Sequence, residues 1–148
     1  MQHMLTSKCV DWAGLRGVVV QEANALLGGD DAVFIVNESA LAKKGEVSAG
    51  VARQWNGRLG KVGNSQVGVF AALCRGEMSC LNDARLYLPQ SWMSDPLRCK
   101  QAAIPKADQI YRAKSELALE MVDEAERRGV RYGDIAVDSG YGKEPAFL

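Results

Sequence analysis

The chain has 148 residues, 47% of them apolar and 24% charged, enough to build one globular domain around a hydrophobic core. Eighteen Lys and Arg balance eighteen Asp and Glu, so the formal net charge is zero. That balance excludes a uniformly basic nucleic-acid binder, and any DNA-facing surface has to be a local patch.

Residues 1–10 read as a tail and residues 11–148 as one α/β domain. The first expected element is a helix from Asp11 to Leu27, with Asp11 as its cap and Leu15, Val18, Val19, Ala23, Leu26 and Leu27 near helical spacing. Gly14 and Gly17 weaken it, and Gly28-Gly29 stops it. Ala32 to Val36 is short, apolar and partly β-branched, the profile of a central strand buried on both faces. A basic turn, Lys43-Lys44-Gly45, follows. A second strand is expected over Val47–Trp55, then a glycine-rich loop from Asn56 to Asn64. Ser65–Cys74 and Met78–Leu88 read as third and fourth strands joined by Arg75-Gly76-Glu77, completing a meander.

Pro89 to Pro105 has no clear period. A long helix fits Lys106–Arg128, with Ile110, Ala113, Leu117, Met121, Val122 and Ala125 as its buried stripe. Asp134–Asp138 is a last short strand, ended by Ser139-Gly140-Tyr141-Gly142. A meander, a helix and a strand returning beside the first is the layout of an RNase H-like mixed sheet with flanking helices.

Four cysteines (Cys9, Cys74, Cys80, Cys99) and one histidine (His3) include no close pair, which argues against structural zinc and for buried free thiols in a reducing cytoplasm. No stretch approaches the ~20 apolar residues of a membrane span. Trp12 and Trp92 read as packing residues.

Two apolar strands end on polar residues, at Val36-Asn37-Glu38 and Val137-Asp138-Ser139. Carboxylates just past strand ends can share a cleft and bind Mg²⁺ through oxygen. The same residues also read as a turn-forming Asp138 and a solvated Glu38, and spacing does not decide between the two. Lys43, Lys44, Arg53, Arg58 and Lys61 cluster in a stretch whose only acid is Glu46. They suit a phosphate-tracking surface, with Trp55, Asn64 and Gln66 for stacking or polar contact, or an ordinary solvated strand edge.

Asn37-Glu38-Ser39-Ala40-Leu41-Ala42-Lys43-Lys44-Gly45 is similar to the Asp-Glu/Asp-Thr-Gly-Phe-x-Lys-Lys-Gly motif of the DDE endonuclease domain of bacterial insertion-sequence transposases. The similarity continues through Ala52-Arg53-Gln54-Trp55-Asn56-Gly57, Gly60-Lys61, Asn64 to Phe70, Arg85 to Pro89, Ser91-Trp92, Asp95-Pro96, Lys114 to Ala118 and Asp138 to Gly142. These segments keep the family's order over roughly residues 32–142.

The resemblance implies an RNase H-like DNA transposase domain. Its Asp, Asp, Glu triad would hold two Mg²⁺ ions for in-line attack on a phosphodiester at insertion-sequence ends. It sets Asn37 at the first Asp, Asp138 at the second, and Glu38 as a weak substitute. The third carboxylate lies beyond Leu148, so the chain reads as truncated at both ends and is expected not to cut DNA alone. Two alternatives stand beside this one. One is a non-catalytic module that binds DNA, full-length transposase or itself. The other is a decayed remnant whose sheet, short of covering helices, exposes apolar surface.

Overall fold

The computed structural model describes residues 9–141 and residue 145. Helix α1 spans Trp12–Leu27, and the Asp11 carboxylate caps it by accepting from the Gly14 N–H at 2.9 Å. A Cβ at Gly14 would collide with that carboxylate, so the glycine that weakens the helix on propensity makes room for its cap. Strands follow as β1 Val33–Ala42, β2 Ala52–Asn56, β3 Lys61–Arg75 and β4 Met78–Leu86. Short helices α2 Gln90–Met93 and α3 Pro96–Gln101 precede a 3-10 turn at Lys106–Asp108. Helix α4 Lys114–Arg127 and strand β5 Asp134–Val137 complete the order.

The fifteen-residue β3 is the spine of a five-stranded mixed sheet. Strand β1 lies antiparallel along one edge of β3, from Val33↔Cys74 to Ala42↔Ser65. The other edge is shared by β2, opposite residues 61–65, and β4, opposite residues 68–75. The expected three-strand meander is therefore altered: β2–β3 and β3–β4 are antiparallel as expected, but β2 and β4 share one edge of β3 while β1 takes the other. After α4, β5 pairs parallel to β1, from Val33↔Asp134 to Val36↔Val137. A parallel neighbour needs such a crossover, and α4 provides it.

Helices α1 and α4 cover one face of the sheet. Phe34 and Val36 of β1 and Val69, Ala71 and Leu73 of β3 meet Leu117, Ala118, Met121 and Ala125 of α4, all buried. Each such large side chain contributes roughly 1.5–3 kcal/mol. Asn24 of α1 ties the ends together, donating to Gly129 O at 2.9 Å and accepting from Arg131 N at 2.9 Å. A smaller cluster forms where α2 and α3 meet the β2 end. There Trp92 is fully buried, donates Nε1–H to Val51 O at 2.9 Å, and carries the Arg98 guanidinium 4.0 Å over its ring.

Several expectations fail for physical reasons. Strand β1 does not stop at Val36 and is not buried on both faces. It alternates, with Phe34, Val36 and Ala40 inside and Ile35 37% exposed, because the described helices lie on one side only. In α1 only Val20, Ala23 and Leu27 are buried, while Leu15, Val18, Val19 and Leu26 are exposed and Trp12 is 37% exposed.

The second strand starts at Ala52 rather than Val47, and β3 absorbs residues 61–64 of the expected loop. The long helix begins at Lys114, not Lys106. Glu116 accepts from the Ala113 N–H at 2.6 Å and closes the helix start there, leaving Ile110 54% exposed before it. Of the thiols, only Cys99 is buried. Among the described residues no helix is long and apolar enough to cross a membrane. The sheet face away from α1 and α4 exposes Ile35, Leu41, Leu81 and Leu86.

Candidate functional site

The parallel register of β1 and β5, carried one position past Val36↔Val137, sets Asp138 level with Asn37. The two side chains do not meet. Asp138 leaves the strand in a tight turn, its carboxylate accepting from Gly140 N at 2.7 Å and its carbonyl from Tyr141 N at 2.9 Å. Asn37 shares the open face with Ile35, and its Oδ1 accepts from the adjacent Glu38 N–H at 2.7 Å. Glu38 is in phase with Phe34 and Val36 and so points to the covered face.

There Glu38 and Asp138 line one hollow of about 280 Å³, with Tyr87, Tyr111, Lys114 and Tyr141 around them. The Lys114 ammonium donates to Glu38 Oε1 at 2.9 Å and lies 5.3 Å over the Tyr87 ring. The Tyr141 hydroxyl reaches Glu38 Oε2 at 3.5 Å. Burial pushes the Tyr87 phenol up to about 12, helped by a hydrogen bond and repulsion from Tyr111 and by the charge of Glu38. Burial also drives Tyr141 well above the ordinary phenol range, with the charges of Glu38 and Asp138 adding to it. These tyrosines are neutral hydrogen-bonding groups at any physiological pH.

The hollow thus pairs two carboxylates, one of them already neutralised by an ammonium. Hard divalent cations take six or more oxygen ligands, several of them anionic. Among the described residues no group of three or more His, Cys, Asp or Glu could hold a metal ion.

The basic residues gather at the far end of the same sheet. Lys43 and Lys44 follow β1, Arg53 lies on β2, Arg58 in the β2–β3 turn, and Lys61 opens β3. Lys43 is five positions past Glu38, roughly 17 Å along the strand. Among the described residues none of the five is ion-paired. Trp55 stands 58% exposed beside them.

Asn64 and Gln66 are not free polar contacts. Asn64 Nδ2 donates to Lys43 O at 3.0 Å and Gly45 O at 2.9 Å, and Gln66 Nε2 donates to Ala49 O at 2.7 Å. Both amides pin the 43–49 loop onto β3 and so fix where the two lysines stand. Lys114, Tyr87 and Tyr141 had no functional role on sequence grounds. The only signal for them was their place inside motif segments, because nothing in their spacing brings them to Glu38. His3 and Gly142 lie outside the described residues.

Comparison with known proteins agrees with this architecture. The family model described as DDE superfamily endonuclease matches residues 1–148, the whole chain. A curated protein of Microchaete diplosiphon, "Probable transposase for insertion sequence element IS701", is 26% identical over 145 residues, covering 97% of this chain and 34% of that protein. The chain thus spans about a third of the length of the curated relative it matches. No solved structure matches the chain. With its mixed sheet, its flanking helices and a family match along its whole length, the chain belongs to the DDE superfamily endonucleases.

Proposed function

We propose that residues 11–148 form part of an insertion-sequence transposase core. In this reading Glu38 and Asp138 supply carboxylates to a metal-dependent phosphodiester site. The observation that carries it is their convergence in one hollow from two paired parallel strands. Asn37 faces away from that hollow, so Glu38 is the better partner for Asp138. The ridge of Lys43, Lys44, Arg53, Arg58 and Lys61 would track DNA phosphates, with Trp55 available to stack on an exposed base. Insertion-sequence ends are the substrate this implies for an intact enzyme, and Mg²⁺ its cation.

The chain by itself is proposed to be catalytically incompetent. Two carboxylates with a lysine between them hold too little negative charge to retain a pair of divalent cations. Mg²⁺- or Mn²⁺-dependent nicking of plasmid DNA should therefore be absent. Clear nicking that disappears in Asp138→Ala would overturn the impairment.

A second reading, of DNA handling without catalysis, is favoured by the unpaired basic ridge. Duplex binding followed by fluorescence anisotropy across a salt series tests it. Replacing Lys43 and Lys44 by alanine should flatten the slope of log affinity against log salt by up to about two units. No binding by the wild-type chain at low salt would remove DNA from the account.

A further inference from the structure

The connection between β1 and β2, residues 43–51, is neither helix nor strand, yet side chains from β2, β3, α2 and α3 hold its carbonyls in place. Asn64 and Gln66 take those of Lys43, Gly45 and Ala49, and Gln54 Nε2 donates to Gly50 O at 3.2 Å. Trp92 Nε1 takes Val51 O at 2.9 Å. Arg98 closes the set. Its Nη2 donates to Glu46 O at 3.1 Å and to Val51 O at 2.9 Å, bridging the middle of the segment to its end. The guanidinium is half-buried against the Trp92 ring and has no ion pair among the described residues, so its charge is left uncancelled.

The direction of these carbonyls fixes the direction of the donors. A trans peptide sets each C=O opposite the N–H of the next residue. No cis peptide bond occurs among the described residues. With the carbonyls of Lys43, Gly45 and Glu46 bonded inward, the N–H groups of Lys44, Glu46 and Val47 are turned outward, at exposed residues. None of them donates to an acceptor among the described residues.

Free N–H groups next to ammonium groups suit an anion with several acceptor oxygens, and backbone N–H groups are regular donors to DNA phosphate. The opposing charge is Glu46, the one acid between Lys43 and Val51. We propose that residues 43–47 form a preorganised site for a backbone phosphate of a DNA strand, with Arg98 as the positioning residue that fixes its shape. The inference rests on the reading of the basic ridge as a DNA surface. It adds the backbone donors, and a residue that acts on them without touching the phosphate. Fixing the segment beforehand spares the entropy of ordering it on binding.

Titration of the ¹⁵N-labelled chain with a DNA duplex, followed by amide resonances and by anisotropy across a salt series, tests the site. The N–H resonances of Lys44, Glu46 and Val47 should shift on saturation. Arg98→Met should weaken binding about tenfold and keep the slope of log affinity against log salt, since no phosphate contact is removed. In that variant the shifts at Lys44, Glu46 and Val47 should shrink while those at Arg58 and Lys61 persist, a pattern that loss of folding would not produce. Glu46→Gln, which removes no anchor, should tighten binding several-fold. Inorganic phosphate should move the same amides only at far higher concentration. Amides moved by phosphate and not by DNA would assign the site to a free anion and overturn the proposal. DNA binding with these amides unmoved overturns the site and leaves the ridge standing, whereas no DNA binding at low salt overturns both. A slope lowered by about one unit in Arg98→Met would make Arg98 a phosphate contact and end its positioning role.

Discussion

Lys114, at the first position of α4, donates its ammonium to Glu38 of β1 at 2.9 Å across 76 positions of sequence. The pair is about one-third exposed on each side, with side-chain exposures of 28% and 34%. Such a pair contributes modestly, since solvent screens it and both chains lose rotamer freedom. A double-mutant cycle with Lys114→Met and Glu38→Gln should give a coupling of about 0.5–1 kcal/mol by urea unfolding. A coupling near zero would mean that the two groups do not meet in solution.

Asn37→Asp separates the two positions that compete for the first carboxylate. Its side chain lies on the open face, away from Asp138 and Glu38. The substitution should leave Mg²⁺ binding and DNA nicking unchanged, and stability within about 0.5 kcal/mol. If nicking appeared, the pairing of Glu38 with Asp138 would be wrong.

Asp138→Asn should fold almost as the unmodified chain does. The residue is exposed, and an amide oxygen can still accept from Gly140 N, so a loss under about 0.5 kcal/mol is expected by denaturant unfolding. A large loss would make Asp138 a structural residue first.

Two half-buried phenols set an alkaline limit. The pKa of Tyr87 is raised from 10.0 to about 12 by burial, then by Tyr111 and Glu38, and that of Tyr132 to about 12 by burial, then by Glu126. A raised folded pKa means the fold favours the protonated phenol. The associated stability is whole below pH about 10 and drains away as pH climbs from there towards 12. Urea midpoints should therefore fall over that window while tyrosinate absorbance rises late. Tyrosinate appearing fully near pH 10 in folded protein would contradict the burial.

Much of the framework is legible in the sequence. Asp11 as a cap, the two turns around β3 and β4, and the Leu117–Met121–Ala125 stripe are local signals, and the helix, strands and core of α4 follow them. Element ends were less legible. Ile110 fits the helical period of α4, but a capping contact at Ala113, three residues later, starts the helix beyond it. The bulge at Asn82 leaves no mark in the sequence of β4, because its cause is the register against β3.

The sequence by itself determined which residue types were on hand: a Glu at 38, an Asp at 138, a basic cluster from Lys43 to Lys61, and motif segments in family order. Only the tertiary structure decided which of them meet. Val33 and Ile35 are as apolar as Phe34 and Val36, so alternation in the sequence could not say which face of β1 is covered. Packing of α1 and α4 on one side made that choice. It turned Glu38 rather than Asn37 toward Asp138, and brought Lys114 between a strand and a helix far apart in sequence. Side-chain direction along a strand has a period of two, so choosing the covered face assigns every residue on it at once.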